Sequence, residues 1–155
     1  MPGKNSVLFV CTANQCRSPM AEAILKKYLY KMNPEEQWTI ESAGTWTQPG
    51  FPATPYGVKA MAEIGLDTSQ HKSQAITSSL LERFLLILTM ESGHKEAIQI
   101  EFPQCAGRVF MLSEMAGEKV PILDPIGGSY EEYVSTAKEI DSWIVKGIPG
   151  ILERL

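Results

Sequence analysis

The chain has 155 residues, 44% hydrophobic and 21% charged, with a formal net charge of -4. That balance predicts one globular domain spanning 1–155, long enough to bury a core without disulfide or metal staples. It excludes bulk nucleic-acid binding, since no Lys/Arg cluster offsets the negative charge. No apolar run approaches a membrane span, and the one following Met1-Pro2-Gly3-Lys4-Asn5-Ser6 is too short for a signal peptide.

The first element is the run Val7-Leu8-Phe9-Val10, a short buried strand by its β-branched and aromatic content. From Ala21 the period changes: Ala21, Ile24, Leu25, Tyr28 and Met32 fall on one helical face. Ser18 stands where an N-cap belongs and Pro19 where the first helical residue belongs. Asn33-Pro34 ends that helix. Trp38 to Ser42 reads as a second strand, stopped by Ala43-Gly44, and Thr45 to Pro55 as irregular chain. Tyr56 to Ile64 is a second helix terminated by Gly65, followed by polar loop to Thr77 and a short helix over Ser78 to Arg83. Phe84-Leu85-Leu86-Ile87-Leu88, the most hydrophobic run, is a strand buried on both faces. Ser92 to Ile100 is helical and Arg108 to Leu112 a fourth strand. Pro121 to Pro125 leads into a loop. A long amphipathic helix then runs from Ser129 towards Ile148, where Pro149-Gly150 kinks or ends it. Strands alternating with helices predict a parallel sheet with right-handed crossovers, and ligands at the carboxyl ends of its strands.

Chemistry concentrates in the loop between the first strand and first helix: Cys11-Thr12-Ala13-Asn14-Gln15-Cys16-Arg17-Ser18. A loop curled at a helix N-terminus aims several backbone N–H groups at one spot, where the helix dipole favours negative charge. The planar fork of Arg17 matches two phosphate oxygens. The same positive field stabilises a thiolate, so Cys11 reads as a nucleophile beneath a phosphate held by residues 12–18.

This Cys-x5-Arg-Ser between strand and helix resembles the low-molecular-weight protein tyrosine phosphatase family, which includes bacterial protein arginine phosphatases and thioredoxin-coupled arsenate reductases. Cys11, Asn14, Cys16, Arg17, Ser18 and Pro19 match the family loop. Ala13 stands where the family usually has Gly, and Gln15 where it has a small apolar residue or Thr. The resemblance implies an α/β three-layer fold, with a four-stranded parallel sheet flanked by helices. It also assigns Asp124, in Asp124-Pro125, as general acid and then base. Without the resemblance, Asp124 before Pro and Gly-Gly reads as a turn residue. Beside a bound phosphate, like charge would keep its carboxyl protonated. Further matches, Ser42 in Ser42-Ala43-Gly44 and His71 before Lys72, imply that Asn14, Ser18, Ser42 and His71 brace the loop by hydrogen bonds. Cys16 matches a cysteine that forms a reversible disulfide with the nucleophile under oxidation.

Trp46 reads either as a rim residue stacking on a phosphorylated ring or as an anchor for irregular chain. With Gln15 and Ile126 it is a candidate for the substrate cleft. The segment from Leu88 to His94 has no cysteine, which argues against arsenate reduction. Ile126-Gly127-Gly128-Ser129 lacks the aromatic residues that often follow Asp-Pro in tyrosine enzymes, and its Gly-Gly-Ser resembles the arginine phosphatases. The expected function is phosphotyrosine hydrolysis through a cysteinyl phosphate, with phosphoarginine the alternative. A non-catalytic phosphate-binding module is a third reading, which the full set of Cys11, Arg17 and Asp124 disfavours. The expected partners are a phosphorylated protein and inorganic phosphate as product, with no membrane or nucleic acid. No metal or cofactor is expected, because His71 and His94 lie far apart and neither pairs with a cysteine at zinc-ligand spacing. Three cysteines form no disulfide framework, and a free thiolate suits a reducing cytoplasm. His94, Cys105 and residues 151–155 carry no functional reading.

Overall fold

The structure, a computed structural model, describes residues 2–155. Four strands form one sheet in the order β2-β1-β3-β4, every neighbouring pair parallel. They are β1 (Gly3–Cys11), β2 (Thr39–Gly44), β3 (Phe84–Thr89) and β4 (Val109–Met111). Helices α1 (Arg17–Met32), α2 (Pro55–Glu63), α3 (Ser78–Leu81), α4 (Ser92–Glu101) and α5 (Tyr130–Glu153) connect or cover them. No described helix is long and apolar enough to cross a membrane.

Alternation along the strands divides the core into two layers. Val7 and Phe9 of β1 and Leu86 and Leu88 of β3 join Ile24 and Leu25 of α1 and Ile140, Ile144 and Ile151 of α5. Leu8 and Val10, with Ile87 and Val109, face the opposite way onto Leu80, Leu81, Ile98 and Cys105. Both faces of β1 and β3 are therefore covered, which is why their sequences read as unbroken apolar runs. Burying each such side chain contributes about 1.5–3 kcal/mol, so the strand that delivers Cys11 is fixed from both sides.

Two expectations need correction. Ser18 does not cap α1: Cys16 is the N-cap residue, and no side chain caps the helix. The Ser18 hydroxyl is instead turned into the loop. Pro19 falls third in the helix, where its missing N–H is still one of the four without an intrahelical partner. Nor does α5 end at Pro149; it continues to Glu153 with the proline inside it. The lost hydrogen bond is offset by packing, because Ile148 and Ile151 prolong the buried stripe.

Close approach accompanies that continuation. A Cβ on Gly150 would overlap the Met115 carbonyl, and one on Gly147 would come within 2.9 Å of the Met115 Cβ. Gly150→Ala should lower the unfolding free energy measured in urea by about 1–3 kcal/mol, the usual effect of overpacking. Gly93→Ala, in α4 with nothing within 4 Å of the new methyl, should show no loss.

Candidate active site

The loop from Thr12 to Cys16 leaves the carboxyl end of β1 and enters α1. Its carbonyls are turned outward onto neighbouring chain. The Cys11 and Thr12 oxygens accept from the N–H groups of Thr45 and Trp46 at 2.9 and 3.0 Å, and that of Gln15 from Thr54 at 2.8 Å. The Asn14 carbonyl lies 2.7 Å from His71 Nε2, so that nitrogen carries the proton and donates. Because a trans peptide sets N–H and C=O on opposite sides, the outward carbonyls turn the amides of Thr12, Ala13, Gln15 and Cys16 inward. The inner side of the loop is thus a cradle of donors, the chemistry an oxyanion requires.

Asn14 shapes the loop. Its φ of 56° lies in the left-handed region, which Asn tolerates better than most side chains. Its Oδ1 accepts from Gln74 N at 2.9 Å, which orients the amide, and its Nδ2 donates to Ser18 Oγ at 2.9 Å. Ser18 Oγ, already accepting, directs its own proton to Cys11 Sγ, 2.9 Å away. Ala13 has no positive φ, so the methyl in place of hydrogen leaves this geometry intact. Gly44 must remain bare, since a Cβ there would stand 2.5 Å from the Thr12 oxygen.

Arg17 is 1% exposed. Its Nη1 donates to Glu91 Oε2 at 2.5 Å and to the Ile122 carbonyl at 2.8 Å, while Nη2 lies 3.6 Å from Asp124 Oδ2. Its buried Nε has no partner, so one edge of the fork is left for an anion. Asp124, about one-third exposed, is steadied by the Ile126 amide donating to its Oδ1 at 3.0 Å. Cys16 is buried at the helix entry. Burial, and then the negative groups Asp124 and Cys11, push its thiol up to about 12, so it is neutral at ordinary pH.

Exposure removes the anchor reading of Trp46. It is 85% exposed and lines a groove of about 420 Å³ with Ala13, Gln15, Thr47, Gln48 and Phe51. Ile126 is also exposed. Gln15 reaches the Pro52 carbonyl at 3.4 Å, a weak contact that leaves its amide available. The bracing network is only partly as expected. Asn14, Ser18 and His71 meet, but the Ser42 hydroxyl donates to Glu22 Oε1 at 2.7 Å. Ser42 joins the loop indirectly, its carbonyl accepting from the Gln74 side chain at 3.0 Å.

Glu91, Gln74, Glu22 and His94 carry roles that sequence reading missed. His94 is buried, and its Nε2 lies 2.9 Å from Thr12 Oγ1. Only its burial on an otherwise polar helix start marks it, and burial is not visible in the sequence.

The family model for low molecular weight phosphotyrosine protein phosphatase matches residues 6–148. The chain belongs to that family. It is therefore a phosphoprotein phosphatase. It is 37% identical over 150 residues to a probable low molecular weight protein-tyrosine-phosphatase of Ralstonia nicotianae, covering 97% of this chain and 95% of the relative. It is also 37% identical over 136 residues to the protein-arginine-phosphatase of Bacillus subtilis, covering 87% and 89%. The crystal structure of the T. tengcongensis low molecular weight protein tyrosine phosphatase superposes with a TM-score of 0.87 at 35% identity, covering 93% and 97% of the two chains.

The Asn14 geometry gives a direct test. Asn14→Ala loses two buried hydrogen bonds and adds left-handed backbone strain, so urea unfolding should show a loss of roughly 2–4 kcal/mol. Asn14→Gly, which removes the strain but not the lost bonds, should recover about 1 kcal/mol of that deficit.

Proposed function

We propose that this chain, acting as one domain, hydrolyses phosphotyrosine in proteins through a cysteinyl-phosphate intermediate. What supports the reading is one loop that carries Cys11, inward-turned amides and the buried Arg17, whose Nε has no partner and whose Nη2 lies 3.6 Å from Asp124 Oδ2. The Cys11 thiolate attacks phosphorus while residues 12–18 and Arg17 hold the oxygens. As the P–O bond to tyrosine breaks, Asp124 passes its proton to the departing phenolate oxygen. Asp124, now a carboxylate, takes a proton from water that attacks the phosphocysteine, releasing inorganic phosphate and the thiolate.

Phosphotyrosine is favoured by the groove. Its lining offers the faces of Trp46 and Phe51 and the neutral amides of Gln15 and Gln48. Phosphoarginine is the second reading, supported by Gly127-Gly128-Ser129 and by the arginine phosphatase among the relatives. The deciding experiment compares kcat/KM for phosphotyrosine and phosphoarginine peptides under reducing conditions, with Cys11→Ser as the inactive control. Faster phosphotyrosine turnover is expected. A preference for phosphoarginine would transfer the assignment to that substrate, and turnover of neither would leave a phosphate-binding module.

Acid catalysis has its own signature. Asp124→Ala should slow phosphotyrosine hydrolysis by about 10²–10⁴-fold. The loss should be much smaller for an aryl phosphate whose leaving group is weakly basic. Equal losses for both would remove Asp124 as the proton donor.

The reading includes redox protection, and three free cysteines suit a cytoplasmic setting. Peroxide would convert the Cys11 thiolate to a sulfenic acid, and the Cys16 sulfur would displace water to form a disulfide. Inactivation by peroxide should be reversed by dithiothreitol, and the oxidised protein should be two hydrogens lighter by intact mass. A Cys16→Ser variant that recovers as fully would rule out this pairing.

A further inference from the structure

Thr12 and Arg17 lie at opposite ends of the phosphate loop, yet both connect to the start of α4. Thr12 Oγ1 is 2.9 Å from His94 Nε2, and His94 Nδ1 is 3.2 Å from the backbone nitrogen of Glu91. Glu91 in turn receives Arg17 Nη1 at 2.5 Å. The proton positions follow from chemistry. The Glu91 nitrogen is an amide and only donates, so Nδ1 must accept and be bare. The ring is then the Nε2–H tautomer, donating to Thr12. Both nitrogens are used, and the ring is buried.

We propose that neutral His94 is a positioning residue, tying the first residue of the phosphate loop to the carboxylate that holds Arg17. This rests on the phosphatase reading and deepens it, because it makes the protonation of one imidazole a determinant of cradle geometry. A second proton has one place to go, Nδ1, where it would face the Glu91 N–H. Two donors would then oppose each other, and the bond that fixes Glu91 would be lost. Glu91 orients the Nη1 edge of Arg17, so the guanidinium would lose its registration against the loop.

The groups facing the ring are Arg17, Glu91 and Asp124. Burial and the Arg17 cation hold the imidazole below its ordinary value of 6.5, opposed by the two carboxylates, of which Glu91 Oε2 is 3.9 Å from Nε2. The sign follows. A histidine with a lowered folded-state value contributes its stabilising bonds above about 6.5. That contribution is lost as pH falls through the lower, folded value.

Two variants divide the ring's functions. His94→Asn places an acceptor near Nδ1 but does not reach Thr12; His94→Gln reaches Thr12 but offers Glu91 no acceptor. Each should lower kcat/KM for a phosphotyrosine peptide roughly three- to tenfold, the equivalent of one hydrogen bond. Relative to both variants, the wild type should lose activity as pH falls below 6.5 and the imidazole takes up its second proton. Thr12→Val should match His94→Asn, and the double variant should be no slower than either single one, since both remove the same bond. A merely structural histidine would instead give losses that multiply in the double variant. Multiplying losses, or activities within twofold of wild type with the same acid limb, overturn the proposal. Two readouts are independent of turnover: the ¹⁵N shift of Nδ1, expected to be unprotonated at pH 7.5, and affinity for inorganic phosphate. The ratio of wild-type to His94→Asn affinity should fall as the imidazole titrates. If the wild type turns over neither peptide, the phosphatase reading fails while these two measurements still decide the role of His94. A protonated Nδ1 at pH 7.5, or an affinity ratio constant with pH, overturns it.

Discussion

A guanidinium buried under the phosphate loop is the constraint on which the site depends. Arg17 is almost wholly removed from water, and a buried cation survives only with good partners on its remaining donors. Glu91, arriving from the end of β3, and the Ile122 carbonyl, from the segment before the last helix, supply them. The chain must therefore bring three distant segments to one point before Arg17 can be accommodated. Doing so leaves the Nε of the fork unpaired. Under the proposed function, the contacts that the fold requires would also prepare the anion site.

The parallel sheet makes that convergence geometrically natural. Cys11 ends β1, Gly44 ends β2 and Glu91 lies two residues after β3, all at the carboxyl edge. β1 and β3 are neighbours in register, with Val10 beside Thr89, so the nucleophile loop and the carboxylate for Arg17 start side by side. β2 lies on the other flank, and its continuation donates two amides to the loop's carbonyls. Within the loop only side chains bond, Asn14 to Ser18 and Ser18 to Cys11, while its carbonyls at Cys11, Thr12, Asn14 and Gln15 bond to neighbouring chain. Its shape is imposed by the strands around it, which is how a short irregular segment becomes a rigid cradle.

What could be read from the sequence was what depends on local pattern. The apolar runs at Val7 and Phe84, the helical stripe of α5 and the Cys-x5-Arg loop each carry their signal within a few residues. Ser18 was misread because an N-cap rule sees only neighbours along the chain. The competing partners of its hydroxyl, Asn14 and Cys11, act through the loop's closure. Pro149 was misread because local rules penalise a proline in a helix, whereas the packing of Ile148 and Ile151 outweighs the missing bond. Glu91, His94 and Gln74 were invisible for the same reason: each acts on a residue 60 or more positions away. A polar residue acting across that distance leaves no periodic trace.

The outward-facing carbonyls of the loop carry one more implication. A receptor made of main-chain amides recognises the shape and charge of a tetrahedral oxyanion and is nearly blind to what is esterified to it. Free phosphate therefore fits the cradle as well as the phosphoryl group of a substrate. Under the proposed function, discrimination would fall to the groove lined by Trp46 and Gln15, where the organic part would lie. An enzyme so built is throttled by the anion it releases, and its rate in a living cell would follow the surrounding phosphate level as well as the supply of phosphoprotein.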